Sequence, residues 1–232
     1  CSMMRTIASI TADSSVAAGK YTVTVTQATA GAVRSGAAPL AATTVITGAN
    51  DTLEVEVDGA LKTVTIGAGS YDAAGLVAAV QSGLDAANAG VKASLDSGGR
   101  LVLTSTHEGS AASLRVSGGT ALGDVGLGVD AVAATGVDGT LKIGSNPEVT
   151  VTSAGTGDTV AVSTGSGNIT LTLSGGLRTG DATVAVVSTG DRTLASVASA
   201  INAANIGASA AAVKVSDGAW LLQLNAASTG AD

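Results

Sequence analysis

The sequence predicts a mainly β protein of the α+β class, made of two small antiparallel β-sheet or sandwich-like domains, each with one short α-helix packed on its sheet. Three observations carry this prediction: short segments alternate apolar with polar residues, Val, Ile, Leu, Ala and Thr stand in place of aromatic residues, and one order of segments occurs twice. The 232 residues include 32 Gly, one Trp, two Tyr and no Phe, and 45% are hydrophobic. This composition favours β-sheets with a core of small side chains and argues against disorder.

Period-two alternation marks the strands, because alternate side chains of a strand point to opposite faces of its sheet. Turn signals such as AspGly at 58–59 and GlyGly at 175–176 separate the alternating runs. Strand-like residues begin by Ile7. The predicted strands then cover 21–27, 53–58, 63–66, 101–104, 113–116, 149–152, 159–163, 169–173, 183–187 and 221–224.

Two segments follow a helical period instead. In 72–88 the apolar residues share one face, Ser70 or Asp72 supplies the N-cap, and Gly90 supplies the left-handed residue at the end. In 193–205 the arrangement repeats, with Thr193 as the cap and Gly207 as the stop. Both segments are rich in Ala, which favours a slim helix.

The order strand, strand, helix, strand, strand occurs twice, at an offset of 116 to 121 residues. Such a long period indicates two similar domains rather than a solenoid. We therefore expect a first unit at 31–136, a second unit at 137–232, and a leading segment at 1–30 whose strands could complete the second unit. The Gly-rich stretch 117–150 is the expected crossing between the units.

The charge pattern argues against several classes of partner. The formal net charge is −7 and there is no run of Lys or Arg, which argues against nucleic-acid binding. The sequence also has no long apolar span, so we expect no membrane insertion. Cys1 is the single cysteine, which excludes a disulfide within the chain and a Cys-based zinc site.

The residues show no set that points to catalysis, so no enzyme, metal or cofactor is predicted. His107 is the only histidine, and its ThrSerThrHisGluGly context favours a solvated turn residue over a general base. Glu54, Glu56 and Asp58 fall on one face of a strand, where a solvated outer face is favoured over a calcium site. Trp220, the one large ring, favours core or rim packing over ligand stacking.

The repeated unit resembles the flagellin hook IN motif, named for an IleAsn pair in its helix. That pair is Ile201–Asn202 in the second unit, and Leu84–Asp85 stands at the matching place in the first. The leading segment also resembles the stretch after the first helical region in the flagellar filament cap family (the hook-associated protein 2 family), although Thr26–Thr29 lacks the Leu common there. The motif positions are Leu84, Asp85, Asn88, Gly90, Leu101, Leu103, Ile201, Asn202, Asn205, Gly207, Leu222 and Leu224.

This resemblance implies a structural role in the outer, plate-forming part of the cap at the tip of the flagellar filament. The family's cap is a ring of identical subunits that promotes folding and insertion of exported flagellin. The implied partners are flagellin and copies of the same protein, and the implied location is extracellular, after export by the flagellar type III pathway. The chain reads as an internal piece, so the terminal coiled-coil helices would lie outside it and we expect it to be monomeric in solution.

Two other functions stay open from the sequence. The chain could be the surface-exposed variable region of a flagellin or another axial protein, which also carry the motif. It could instead be an adhesin or glycan-binding β module, which predicts that Trp220 and Tyr21 line a shared groove. An enzyme is the least favoured reading, and His107 buried beside Asp or Ser would reopen it.

Overall fold

The structure, a computed structural model, describes residues 6–186, 194–204, 206–216 and 219–226. It is mostly β, with several small antiparallel sheets and two helices, so the predicted fold class is confirmed. The elements are β1 (Ile7–Ala12), β2 (Gly19–Gln27), β3 (Gly31–Ser35), β4 (Thr44–Ile46), β5 (Thr52–Val57), β6 (Ala60–Thr65), β7 (Gly69–Tyr71), α1 (Ala73–Ala86), β8 (Val91–Leu95), β9 (Leu101–Glu108), β10 (Ser113–Gly118), β11 (Ala134–Thr135), β12 (Gly139–Ile143), β13 (Val149–Val151), β14 (Thr156–Ser163), β15 (Asn168–Ser174), β16 (Gly180–Val186), α2 (Leu194–Ala204), β17 (Ala208–Ser216) and β18 (Ala219–Ala226).

The two strands of the leading segment pair with strands of the second unit. Strand β1 lies antiparallel to β15, and β2 lies between β12 and β16. The sheets β1-β15-β14 and β13-β12-β2-β16 share one hydrophobic core, as the inner faces of a sandwich do. Its fully buried side chains include Val23, Leu141, Ile143, Val162, Ile169, Leu171 and Leu173.

The first unit has its own core. The sheets β11-β10-β5-β6 and β3-β9-β8 and the helix α1 all contribute to it, and the small sheet β4-β7 lies beside them. The buried residues alternate along β5 and β9, as their sequence pattern predicts. The fully buried side chains include Leu53, Val55, Val64, Leu76, Val80, Leu101, Leu103 and Leu114.

The ends of α1 depend on side-chain and backbone chemistry. Asp72, one of the two predicted N-caps, caps the helix. Its carboxylate accepts a hydrogen bond from the Gly75 N–H at 2.7 Å. The left-handed residue that follows the helix is Asn88 (φ 47°), two positions before the predicted Gly90 (φ 63°). Neither helix in the described part of the chain is long and apolar enough to cross a membrane.

The chain passes between the two units twice, and the two crossings pair with each other at Ala30 and Val137, which we call the neck. The Ala30 N–H donates to the Val137 carbonyl at 3.0 Å, and the Val137 N–H donates to the Ala30 carbonyl at 2.8 Å. This backbone pair lies at the two ends of the first unit. The first unit is therefore inserted between β2 and β12, two neighbouring strands of the second core.

The two units share their order of elements but not their strand pairing. In the first unit, β5 and β6 form a hairpin whose two-residue turn, Asp58–Gly59, has φ values of 50° and 78°, the left-handed conformations that such a turn needs. In the second, the longer connection 175–179 lets β15 and β16 enter different sheets. The two expected domains are therefore not similar in their strand pairing, because the turn length decides whether a hairpin closes.

The stretch 117–150 is not the simple crossing that its Gly content suggested. It contains β12, whose Leu141 and Ile143 are fully buried in the second core. Its earlier part places Ala121 and Val125 in the first core. Short apolar runs between Gly residues can thus supply core side chains even where the alternation is too brief to mark a strand.

Candidate functional site at the joint between the units

In each unit a side-chain amide of the helix binds the strand that follows, and only in the second unit does a motif residue, Asn202, supply it. The Asn202 side chain donates to the Ala210 carbonyl at 2.8 Å and accepts from the Ala210 N–H at 2.7 Å. In the first unit the Gln81 side chain makes the equivalent contact. It accepts from the Ala93 N–H at 2.7 Å and donates to the Val91 carbonyl at 3.3 Å. Each amide therefore satisfies backbone groups on an edge of β17 or β8.

The other motif positions divide between the core and the surface. Asp85, which the sequence aligned with Asn202, instead accepts a hydrogen bond from Gln81 at 2.8 Å. Gly207 has a φ of 80°. Leu84, Leu101 and Leu103 are buried, Ile201 and Leu222 are half-buried, Leu224 is 59% exposed, and Asn205 lies outside the described residues.

Replacing Asn202 by Ala is expected to destabilise the second unit by about 1–3 kcal/mol, because the Ala210 N–H and carbonyl both lose their partner. The measurement is urea unfolding followed by the fluorescence of Trp220, the sole Trp, which lies in β18 beside this hairpin strand. Gln223→Ala, on an exposed position of the same hairpin, is the control and should change little. Equal losses in the two variants would contradict the role of the amide.

A polar cluster joins the units around His107. Its Nδ1 lies 2.9 Å from Asp58 Oδ2, and its Nε2 lies 2.9 Å from Ser153 Oγ and 3.2 Å from Asp158 Oδ2. Asp58 belongs to the β5–β6 turn of the first unit, whereas Ser153 and Asp158 flank the start of β14 in the second. The His107 side chain is 28% exposed. We call residues 107–111 and 152–158 the joint.

Each acidic partner in this cluster is also held by other donors. Asp158 accepts hydrogen bonds from the Ser153 hydroxyl at 2.7 Å and the Gly155 N–H at 2.8 Å. These bonds, the first above all, lower the pKa of Asp158 against the opposing effect of burial, and the charge of His107 adds to the lowering. Asp58 accepts through its other oxygen from the Ser113 N–H at 2.8 Å.

The pKa of His107 is raised above its ordinary value. Burial acts to lower it, but the hydrogen bond and charge of Asp58, with those of Asp158, outweigh that effect. The cluster therefore favours the imidazolium form, in which both ring nitrogens donate.

Glu108 holds the joint from the next position along β9. Its side chain, 12% exposed, accepts from Arg178 Nη1 at 2.8 Å and Nη2 at 2.7 Å, and from Thr29 Oγ1 at 2.6 Å. Its backbone exchanges hydrogen bonds with Ala154, at 3.2 Å and 2.9 Å. A bidentate ion pair and a backbone bridge thus fasten the first unit to the second at one residue.

Two predictions about these residues are wrong. His107 is not a solvated turn residue: it lies in β9, partly buried, with polar partners on both ring nitrogens. Asp58 does not share the outer face of β5 with Glu54 and Glu56, because it occupies the left-handed turn and points its carboxylate into the joint. The AspGly turn was the one local signal of this cluster in the sequence. The cluster itself could not be predicted, because the partners of His107 lie 46 to 51 residues away along the chain.

Asp58, His107 and Ser153 contact one another in the order of a nucleophilic triad, and His107 lines an open depression of about 510 Å³. Two features argue against nucleophilic catalysis. The hydroxyl proton of Ser153 is given to Asp158 rather than to His107. A general base must also be neutral, whereas the surroundings of His107 favour its protonated form. The two carboxylates contact opposite ring nitrogens, and the described residues contain no group of three or more His, Cys, Asp or Glu that could hold a metal.

An activity-based fluorophosphonate probe is expected to leave Ser153 unlabelled, because the Ser153 hydroxyl donates to Asp158 and the surroundings of His107 favour a protonated Nε2, which cannot take its proton. The measurement is intact-protein mass spectrometry of the wild-type chain and of Ser153→Ala after incubation with the probe. Labelling that the substitution removes would contradict this expectation and show that Ser153 is a nucleophile.

Comparisons with known proteins find flagellar cap structures. The chain is similar to the D1-D2-D3 domains of the cap protein FliD from Escherichia coli (22% identity, 84% of this chain and 57% of that chain, TM-score 0.46). It is similar to the D2-D3 domains of FliD from Serratia marcescens (19% identity, 76% and 98%, TM-score 0.45) and to FliD from Pseudomonas aeruginosa (18% identity, 77% and 83%, TM-score 0.36). No family model and no curated protein matches.

The chain thus spans 57% of the length of the E. coli structure that it matches. The structures that the chain resembles are flagellar cap proteins from several bacteria, and the resemblance that the sequence motifs indicated is confirmed.

Proposed function

We propose that this chain is a structural piece of a flagellar filament cap, from the outer, plate-forming part of that cap. The observation that carries the proposal is a contact found in both units: a helix side-chain amide binds the backbone of the next strand, from the motif residue Asn202 in one unit and from Gln81, four residues before the matching Asp85, in the other. The division into a first unit at 31–136 and a second unit at 137–232, with the leading segment completing the second, is part of this proposal.

The joint supports a mechanical role. A plate must hold its domains at a fixed angle, and here an ion pair, a backbone bridge and the His107 cluster act between the units within a few residues. Neutral–neutral hydrogen bonds alone would hold that angle less firmly than these charge-assisted contacts.

The remaining parts of the proposal concern the whole protein. The complete cap would be an extracellular ring of identical subunits, exported through the flagellar type III pathway, that promotes folding and insertion of flagellin. Terminal helices beyond this chain would supply the subunit contacts of that ring. The chain by itself is therefore expected to be monomeric, and light scattering that finds a stable ring would contradict this part.

Deleting the gene that encodes this chain tests the proposal in the source bacterium. A cap role predicts loss of filaments and of swimming, with intact flagellin released into the medium and detected by immunoblot. A flagellin variable region predicts instead that the flagellin itself is missing from cells and medium. An adhesin predicts normal swimming with reduced attachment, and either of these last two results would overturn the cap role.

No observation favours the glycan-binding alternative. Trp220 lies beside an apolar pocket with Leu194, Ala195 and Ala212, and it is 52% exposed. Tyr21 does not line that pocket, and its hydroxyl donates to the Ala17 carbonyl at 2.9 Å. The shared groove of Trp220 and Tyr21 that this alternative predicts is absent from the described residues.

A further inference from the structure

The cluster around His107 needs two N–H donors from one imidazole ring. Nδ1 faces a carboxylate of the first unit at 2.9 Å, and Nε2 faces both a hydroxyl and a carboxylate of the second unit, at 2.9 Å and 3.2 Å. A protonated histidine donates from both nitrogens, whereas a neutral one donates from only one. The contact between the units is therefore complete only while His107 carries its proton.

Loss of the proton leaves an unfavourable contact whichever tautomer forms. If Nδ1 keeps its proton for Asp58, Nε2 can accept only by taking the Ser153 hydroxyl from Asp158, which then loses that donor as well as the N–H of the ring. If Nε2 keeps its proton, the Nδ1 lone pair faces the Asp58 carboxylate. Two carboxylates then flank a neutral ring, and their repulsion is no longer offset by a positive charge between them.

The other charged groups at the joint are carboxylates and one arginine, whereas histidine is the side-chain type whose ordinary pKa lies between about pH 5 and 8. Glu108 and Arg178 form the adjacent ion pair, which raises the pKa of Arg178 further above its already high value. Asp58 comes from the β5–β6 turn and Asp158 from β14, and His107 is the only histidine of the chain. A change in the joint between weakly acidic and alkaline pH is therefore assigned to His107.

We propose that His107 is a proton-operated latch, which fixes the first unit against the second when protonated and allows the two units to move about the neck when neutral. The Glu108–Arg178 ion pair and the backbone pairs at Ala154 and Ala30 persist in both states. The latch therefore changes the range of angles between the units without separating them.

The pH window follows from the direction of the pKa shifts. The pKa of His107 is raised in the folded chain, so the latch is closed below its ordinary value of 6.5 and opens as the pH rises through the raised value. The pKa of Asp158 is lowered, so its stabilising contribution is fully present above its ordinary value of 3.8 and is lost as the pH falls through the lowered value. The latch is thus closed across the weakly acidic range.

The test measures the spread of distances between the units. Spin labels are placed on exposed positions of each unit, at Thr63→Cys and Thr183→Cys, in the full 232-residue chain with Cys1→Ser. Electron–electron double resonance is measured at about pH 5.5 and about pH 9, which lie on either side of the range in which histidine titrates. It gives the distribution of distances between the two labels at each pH. NMR of the single imidazole gives the titration midpoint of His107 in the same samples.

We expect a narrow distance distribution at the lower pH and a broader one at the higher pH, with the same midpoint as His107. His107→Gln should remove the pH dependence, and Asp158→Asn should shift the midpoint down, because one source of the raised pKa is gone. Asp96→Asn, in a first-unit loop where the carboxylate binds the Gly98 and Arg100 N–H groups, is the matched control and should leave the midpoint unchanged.

Two results would overturn the latch. One is an unchanged distance distribution across the range in which NMR shows His107 losing its proton. The other is the same pH-dependent broadening in His107→Gln as in the wild type. Circular dichroism of each variant at both pH values establishes that the folded chain is being compared.

Discussion

Leu103→Ala is expected to destabilise the first unit by about 2–5 kcal/mol, the range for removing a fully buried Leu side chain from a well-packed core. Leu103 lies in β9, the central strand of β3-β9-β8, and belongs to the core that includes α1 and β5. The measurement is differential scanning calorimetry of the whole chain, in which the transition of the first unit should move to lower temperature.

The repeat supplies a matched control for this substitution. Leu224 occupies the corresponding motif position in the second unit, but its side chain is 59% exposed in the hairpin β17-β18. Leu224→Ala removes the same atoms from a partly wet surface, so the expected loss is below about 1 kcal/mol. Similar losses at the two positions would show that Leu224 is buried in solution.

Gly109→Ala is expected to cost about 2–4 kcal/mol and to open the joint, through two effects of the added methyl group. The φ of Gly109 is 93°, a conformation that costs a residue with a Cβ of order 1–3 kcal/mol. That Cβ would also stand 2.3 Å from the Thr152 carbonyl oxygen in the second unit, so the backbones must separate. Urea unfolding gives the loss in stability, and hydrogen exchange of the Ala154 amide gives the local opening.

Gly123→Ala is the control for this variant, because a Cβ at Gly123 has no atom within 4 Å and its φ is not in the left-handed region. Its stability is expected to stay within about 0.5 kcal/mol of the wild type. An Ala154 amide that stays equally protected in Gly109→Ala and Gly123→Ala would contradict the close approach at the joint.

The sequence predicted those parts of the fold that a local period reveals. The helix α1, its Asp72 cap and the alternating strands β5 and β15 follow from residues close together in the chain. Strands β3, β8, β12 and β17 were missed because they are short, Ala-rich or interrupted by Gly, so their alternation is faint. These segments form strands because neighbouring strands pair with them, and that pairing depends on residues distant in the sequence.

The joint could not be predicted in the same way. His107 meets Asp58, Ser153 and Asp158 only because β9 ends where the β5–β6 turn and the start of β14 come together. The matching position in the second unit is Ser228, so the repeat gave no hint of the cluster. When the residues next to a charged side chain in the sequence are small and polar, the sequence predicts a solvent-exposed position, even if distant residues bind that side chain in the fold.

The neck between Ala30 and Val137 makes the first unit a removable cassette. Its two ends exchange backbone hydrogen bonds of 3.0 Å and 2.8 Å, so a short turn can span the gap that excision of 31–136 would leave. Insertions with adjacent ends are tolerated because the host need not rearrange to admit them. Such a graft site lets the first unit diverge in sequence, or be exchanged whole, while the host sandwich keeps its core.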